Sequence, residues 1–315
     1  MESTKAIKSP DLRKPKDSLW FKIKRDRQLL ILIAPGILFY LVFRYGPMFG
    51  LVTAFQKFNP FLGVFKSPLV GFTNFEKFFS TGDFRLLFRN TLLLGLYNLL
   101  WSFPITVIFA LLLNEVRGST FKRTVQTVSY LPTFLSVVII VSITKDFLST
   151  AGTFNQIRGL MGLPVTHPMN SASLFRTIYI ASGIWASMGS GAIIYLAALS
   201  GVDPGLYEAA RIDGCPRVKM IWKITLPSIL PTIVTMFILS SSNVMRIGMD
   251  KVFLLYSPMT YETADVFSTY VYRRAFNLKD YGFASAVGIF ESLISCAVLV
   301  STNFASRKIT GESLW

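Results

Sequence analysis

The chain has 315 residues, 52% hydrophobic and only 16% charged, with a mean hydropathy of +0.50 and a formal net charge of +15. A soluble domain of this size carries about a quarter charged residues, so this composition argues against a water-soluble globular fold. The positive charge sits in tails and loops beside apolar runs, which argues against nucleic-acid binding and for topology signal and contact with membrane lipids.

Residues 1–27 form a hydrophilic tail holding nine Lys and Arg. No cleavable signal peptide is expected, because the apolar run that follows is long enough to span. Six such runs occur: 28–50 (interrupted by Arg44), 90–114, 124–144, 177–202, 224–245 and 281–306 (interrupted by Glu291). Each reaches the roughly 20 residues that cross a hydrocarbon core. Lipid admits only helices or closed barrels, and runs without period-2 alternation select helices. The expected fold is all-α and polytopic: six transmembrane helices within a membrane domain 28–306, between the tails 1–27 and 307–315.

The basic N-terminal tail is placed in the cytoplasm by the positive-inside rule, and six crossings return the C-terminus there. This assigns 18 of the 32 basic residues to the inside and 14 to the outside. The expected outside segments are 51–89, 145–176 and 246–280. In the first, Phe72, Phe75, Phe78, Phe79 and Phe84 fit an amphipathic helix lying on the membrane surface better than a docking surface.

Prolines 35, 47, 104, 132, 227 and 231 predict kinks within the spans. Gly183, Ser187 and Gly191, at i, i+4 and i+8, predict a ridge for close helix packing. Polar groups inside or beside the spans are the candidates for a substrate path: Asn98, Trp185, Tyr195, Ser242, Asn243, Arg246 and Glu291. An ionisable group at mid-span is a functional hypothesis by default, although Glu291 reads equally well as a structural hydrogen-bond partner. Hydroxyl and amide groups beside aromatic rings suit a sugar, with its polar edges and apolar faces.

Between the fourth and fifth spans lies a polar segment, 203–223. Asp203 is a good N-cap, Pro204 a good first residue and Gly214 a natural stop. They define a helix over 204–213, too short to cross, with Leu206, Ala209 and Ala210 as a small apolar patch. Glu208 and Arg211 are spaced to pair with each other or with a partner. Pro216 opens a second helix that runs into the fifth span. Cys215 and Cys296 belong to no metal-type cluster and read as inert thiols. The only histidine, His167, stands in a loop, and no acidic grouping accompanies it, so a membrane enzyme is not expected.

The order Glu208-Ala209-Ala210, three residues, Gly214, nine residues, Ile224, one residue, Leu226-Pro227 resembles the EAA loop of bacterial binding-protein-dependent ABC importers (the MetI-like family), with no departure in residue or spacing. Asn90-Thr91 at the start of the second span and Tyr130-Leu131-Pro132 in the third are similar to the sugar-permease branch. Tyr45-Gly46-Pro47-Met48 and Phe72-Thr73-Asn74-Phe75 resemble the MalF-like, LplB-type permease subunits of oligosaccharide and polysaccharide importers. The alginate importer's first permease subunit stands near this group.

The resemblance implies a permease domain over 28–306 in the bacterial cytoplasmic (inner) membrane, with both termini cytoplasmic. It implies a second homologous permease subunit, two ATP-binding subunits, an extracytoplasmic solute-binding protein and a saccharide substrate. Residues Glu208, Ala209, Ala210, Arg211, Asp213, Gly214, Leu226 and Pro227 would couple the chain to the ATPase, and Gly214 would permit the turn after the coupling helix. No Gly-Lys dipeptide occurs in the chain, so it has no phosphate loop. No cofactor is expected in this chain; ATP and Mg would be bound by the partner subunits. The alternative is a secondary transporter driven by an ion gradient, with Glu291 as its ion site, although no inverted repeat is evident. The 14 outside basic residues leave an acidic glycan open as the substrate.

Overall fold

The computed structural model describes residues 25–310. Most of the tail segments 1–27 and 307–315 lies outside the described residues. All regular structure among the described residues is helical, apart from one isolated antiparallel bridge between Gln56 and Leu69. Six segments are long and apolar enough to cross a membrane: Arg27–Phe55, Asp83–Glu115, Val137–Leu160, Ala172–Ser200, Arg217–Ser241 and Tyr281–Lys308. The chain divides into two units, Met1–Val52 and Thr53–Trp315.

In the first unit, α1 (Arg27–Tyr40) continues into a π turn, Leu41–Tyr45, where the Gly46 N–H reaches the Leu41 carbonyl. A regular helix would press the ring of Pro47 against the Phe43 carbonyl, and the wider turn gives that ring room.

In the second unit, α2 (Thr73–Ser80) leads into α3 (Asp83–Glu115). Of the phenylalanines that the sequence lays on a membrane surface, Phe78 is instead packed inside the protein, Phe75 is half-buried, and Phe72 and Phe79 stay exposed. Phe78 is fully buried. Its ring centroid stands 5.2 Å from Phe84, 6.0 Å from Phe267, 6.1 Å from Phe283 and 5.5 Å from Phe290. All four contacts are edge-to-face, the arrangement favoured by the ring quadrupole. At Phe78 the apolar face of α2 is therefore covered by protein, the last helix included.

The expected third span, 124–144, is not one helix. α4 (Ser119–Tyr130) ends in a 3-10 turn, Leu131–Phe134, and Leu135 is extended. Ser136 then caps α5 (Val137–Leu148), its hydroxyl accepting the Ile139 N–H at 3.4 Å. Pro132 has no N–H to continue the ladder, so the helix stops and restarts. The spanning segment shifts to Val137–Leu160, which itself pauses at residues 149–152.

α6 (Ala172–Ser200) packs along α3. On its expected ridge, Gly191 faces the Thr106 methyl, whereas Gly183 faces the Lys251 ammonium and Ser187 lines a cavity. The fifth span follows α7 (Pro204–Ile212). It consists of a short helix Arg217–Met220, a π turn Ile221–Thr225 and α8 (Leu226–Ser241). Beyond α8 the backbone touches α3: a Cβ on Gly95 would lie 1.8 Å from the Val244 carbonyl oxygen.

The connection to the sixth span contains α9 (Met249–Leu255) and α10 (Phe267–Tyr272), before α11 (Tyr281–Thr310). Asn90, fully buried, ties this connection to α3 by donating to the Glu262 and Asp265 carbonyls at 3.0 and 3.1 Å. Its own carbonyl accepts from Arg176 at 3.0 Å. The Thr91 hydroxyl accepts the Phe267 N–H at 3.2 Å. The buried Asp265 carboxylate takes both arms of Arg273 and the Thr269 hydroxyl. The hydrogen bonds to Asp265 hold the Arg273 pKa above its ordinary value.

Truncating Phe78 to Ala should destabilise the protein by about 3–5 kcal/mol, as expected for a buried aromatic. The same change at the half-exposed Phe79 should cost much less. Thermal unfolding of the detergent-purified protein reads the difference; equal midpoints for the two variants would contradict this packing.

Candidate functional site

The polar segment between the fourth and fifth spans forms a discrete helix with built ends. The Asp203 carboxylate accepts the Gly205 N–H at 2.9 Å, and Pro204 occupies the first turn, where no N–H is missed. At the other end the Gly214 N–H donates to the Arg211 carbonyl at 3.0 Å and the Cys215 N–H to the Ala210 carbonyl at 2.9 Å. This is the paired closure of a Schellman motif, and it needs a left-handed residue. Gly214 supplies it with φ +70°. The expected helix 204–213 is realised as Pro204–Ile212, with Asp213 as its C-cap.

Glu208, Ala209 and Arg211 are exposed on α7 and Ala210 is half-buried. Ile212 is 87% exposed, so this helix turns apolar surface outward as well as charge. Among the described residues no ion pair joins Glu208 to Arg211. Arg211 instead lines a recess of about 220 Å³ with Glu115, Arg117, Tyr207 and Arg217. Tyr207 points inward, and its hydroxyl lies 3.0 Å from that of Thr225. Thr225 is buried at the end of the π turn, where the Leu226 N–H reaches back to the Ile221 carbonyl. The wider turn accommodates Pro227, which has no N–H of its own. The capped helix and the Leu226-Pro227 pair are thus joined by one hydroxyl–hydroxyl contact.

A second feature lies between the long helices. A cavity of about 270 Å³ is lined by α3, α6 and α8 and the turn after it, including Asn98, Ser102, Thr106, Ser187, Ser190, Tyr195, Ser240 and Asn243. Asn98, Ser102 and Thr106 share one helix face at four-residue spacing. The hydroxyls of Thr106, Ser187 and Ser190 donate to carbonyls of their own helices. The Ser102 hydroxyl donates to the Asn98 side-chain oxygen at 2.9 Å. Oxygen lone pairs are therefore left facing the cavity, suited to hydroxyl donors of a ligand. Phe103 and Tyr195 meet edge-on along the same wall.

Three of the seven residues expected on a substrate path, Asn98, Tyr195 and Asn243, come together here. Four do not. Trp185 lies on the α6 face carrying Thr177 and Ala181, and lines a separate apolar recess with Ile143, Phe147 and Ile178. Ser242 donates to the Leu239 carbonyl at the end of α8 and does not line the cavity. Arg246 is exposed, and Glu291 is half-buried on α11 away from the lining. Sequence reading missed Thr106 and Ser190 and gave Ser187 only a packing role. The four-residue register from Asn98 was the available signal for Thr106.

Residues 84–310 match the family described as "Binding-protein-dependent transport system inner membrane component". The chain belongs to this family. It is 39% identical over 310 residues to protein LplB of Bacillus subtilis (strain 168), covering 98% of this chain and 97% of that one. It is 38% identical over 298 residues to the polygalacturonan/rhamnogalacturonan transport system permease protein YteP of the same bacterium, covering 94% and 93%. Among solved structures it is similar to a chain of a bacterial alginate ABC transporter in complex with its alginate pentasaccharide-bound periplasmic protein. There the TM-score is 0.86 at 38% identity, over 94% of this chain and 99% of that one. The chain is accordingly a multi-pass permease subunit of an ABC importer, as the EAA resemblance implies. The ion-gradient alternative gains no support.

Gly214→Ala should strain the turn by about 1–2 kcal/mol, the cost of left-handed backbone with a Cβ. Hydrogen exchange at the 214 and 215 amides should then quicken roughly tenfold, with α3 unchanged. Unaltered exchange at both amides would contradict this closure.

Proposed function

We propose that the chain translocates an oligosaccharide or polysaccharide by alternating access, driven through α7 by a separate cytoplasmic ATPase. The observation carrying this reading is a short helix with caps at both ends that presents Glu208 and Ala209 outward and is hydrogen-bonded to the start of the fifth span. A helix this short is marginal alone, and its outward charge and its exposed Ile212 and Leu206 fit a groove on a partner. With no phosphate loop in the chain, that partner binds the ATP and Mg. The assembly contains a second homologous permease, two ATP-binding subunits and an external solute-binding protein. The 203–223 segment faces the cytoplasm, and so do both termini.

The saccharide assignment is supported by the cavity, where hydroxyl acceptors, two Asn amides and two aromatic rings line one wall. A relative named for polygalacturonan/rhamnogalacturonan transport and a solved alginate ABC transporter support the same class. Asn98, Tyr195 and Asn243 are the cargo contacts of this reading. Trp185, Ser242, Arg246 and Glu291 lie away from that lining and have no assigned contact.

The reconstituted complex with its binding protein tests both parts. Glycans should stimulate ATP hydrolysis and amino acids should not. Glu208→Ala should lower that stimulation by about tenfold or more, the scale of losing one charged anchor at an interface, while the complex still assembles. Stimulation by amino acids alone would overturn the saccharide assignment, and undiminished coupling in Glu208→Ala would overturn the role of α7.

A further inference from the structure

Lys251 carries a charge that the transport reading leaves unused. It stands on α9 and reaches across to α6. Its Nζ donates to the Tyr179 carbonyl at 2.6 Å and lies 4.4 Å from the Tyr179 ring centroid. The place is shaped for it: a Cβ on Gly183 would come within 3.0 Å of Nζ. An ammonium has three donors, and one of them is occupied by the Tyr179 carbonyl.

Among the described residues no carboxylate pairs with Lys251. Asp250, its neighbour in the chain, is exposed. Burial alone pushes the Lys251 ammonium down to about 8, so at neutral pH it still carries its proton. A charge withdrawn from water is expensive unless paired, and this half-buried ammonium has only the neutral Tyr179 carbonyl as its hydrogen-bond partner.

The surroundings give that charge a direction. Lys251 lines a cavity of about 340 Å³ with Asn98, Ser102, Thr133 and Ser187. Asn98, Ser102 and Ser187 also line the 270 Å³ cavity described above. The two voids therefore adjoin along one stripe of hydroxyl and amide groups, and each is of the order of the roughly 300–1,000 Å³ typical of ligand sites. At one end of this stripe stands a cation without a counter-ion; along the rest are groups suited to sugar hydroxyls.

We propose that Lys251 binds a carboxylate of the passing saccharide, so that the cargo is an oligosaccharide bearing uronic acid units. This rests on the saccharide reading and narrows it. The cation–π contact with Tyr179 holds the ammonium in place between cargo molecules, and the carboxylate takes the free donors as a charge-assisted pair. The rival role is a clip that merely joins α9 to α6.

The test uses the complete importer in proteoliposomes with saturating, ligand-loaded binding protein. Oligogalacturonates are compared with their methyl esters, which keep the sugar and remove the charge, and with neutral oligosaccharides. Wild type should import the uronates at least about tenfold faster than the esters, the scale of one charge-assisted hydrogen bond. Lys251→Gln should lower uronate uptake by a similar factor, and Lys251→Arg should restore most of it. Equal losses for charged and neutral sugars in Lys251→Gln would establish the clip and overturn the proposal. Import of neutral sugars but not uronates by wild type would overturn it while leaving the saccharide reading intact. Import of no saccharide at all would remove both. If Lys251→Gln fails to assemble, the uronate-to-ester ratio of the wild type decides, and a ratio near one overturns the proposal.

Discussion

In hydrocarbon every backbone donor and acceptor must find its partner within the protein, and prolines in the spans are where this chain has to meet that demand. Pro35, Pro104 and Pro231 sit inside continuous α-helix, and at the other three the chain responds in two ways. Ahead of Pro47 and Pro227 the helix widens into a π turn, so that the next N–H reaches back five residues. At Pro132 the helix stops, and Ser136 caps its successor with a side-chain oxygen. The same side-chain solution appears at Asp203, where the chain leaves the fourth span.

This repair places the functional parts. The π turn at Ile221–Thr225 ends in the buried Thr225, which meets Tyr207 of the capped helix. From there α8 runs 16 residues, about 24 Å at the helical rise, toward the turn where Ser240 and Asn243 face the polar cavity. One element therefore touches both the capped helix α7 and the polar cavity. Close backbone contact of Gly95 with Val244 binds the far end of that element to α3. In the proposed function, a push on α7 is delivered along this element to the wall of the cavity.

Much of this was legible in the sequence because it rests on local chemistry. The caps at Asp203, Pro204 and Gly214 act within a few residues, so the short helix could be placed to within one residue. Run length and missing charge located five of the six spans. What stayed hidden depends on packing between distant residues. Phe78 looked like a lipid-facing residue because its partners, Phe267, Phe283 and Phe290, lie some two hundred positions away. Trp185 looked like a sugar platform, but its rotation about α6 carries it to a different face from Ser187 and Tyr195. Lys251 was not singled out among the basic residues of the outer segments, since nothing local says that α9 folds back against Tyr179. The break at Pro132 was foreseeable as a kink, but the extended step at Leu135 was not.

In the proposed function, ATP hydrolysis on another polypeptide, received through α7, moves a saccharide past this chain. Uptake of labelled oligosaccharide into proteoliposomes containing the whole importer and its binding protein tests it most directly. Accumulation should require ATP with the ATPase subunits and persist when ionophores collapse every ion gradient. Accumulation that follows an imposed proton or sodium gradient without ATPase subunits would contradict it.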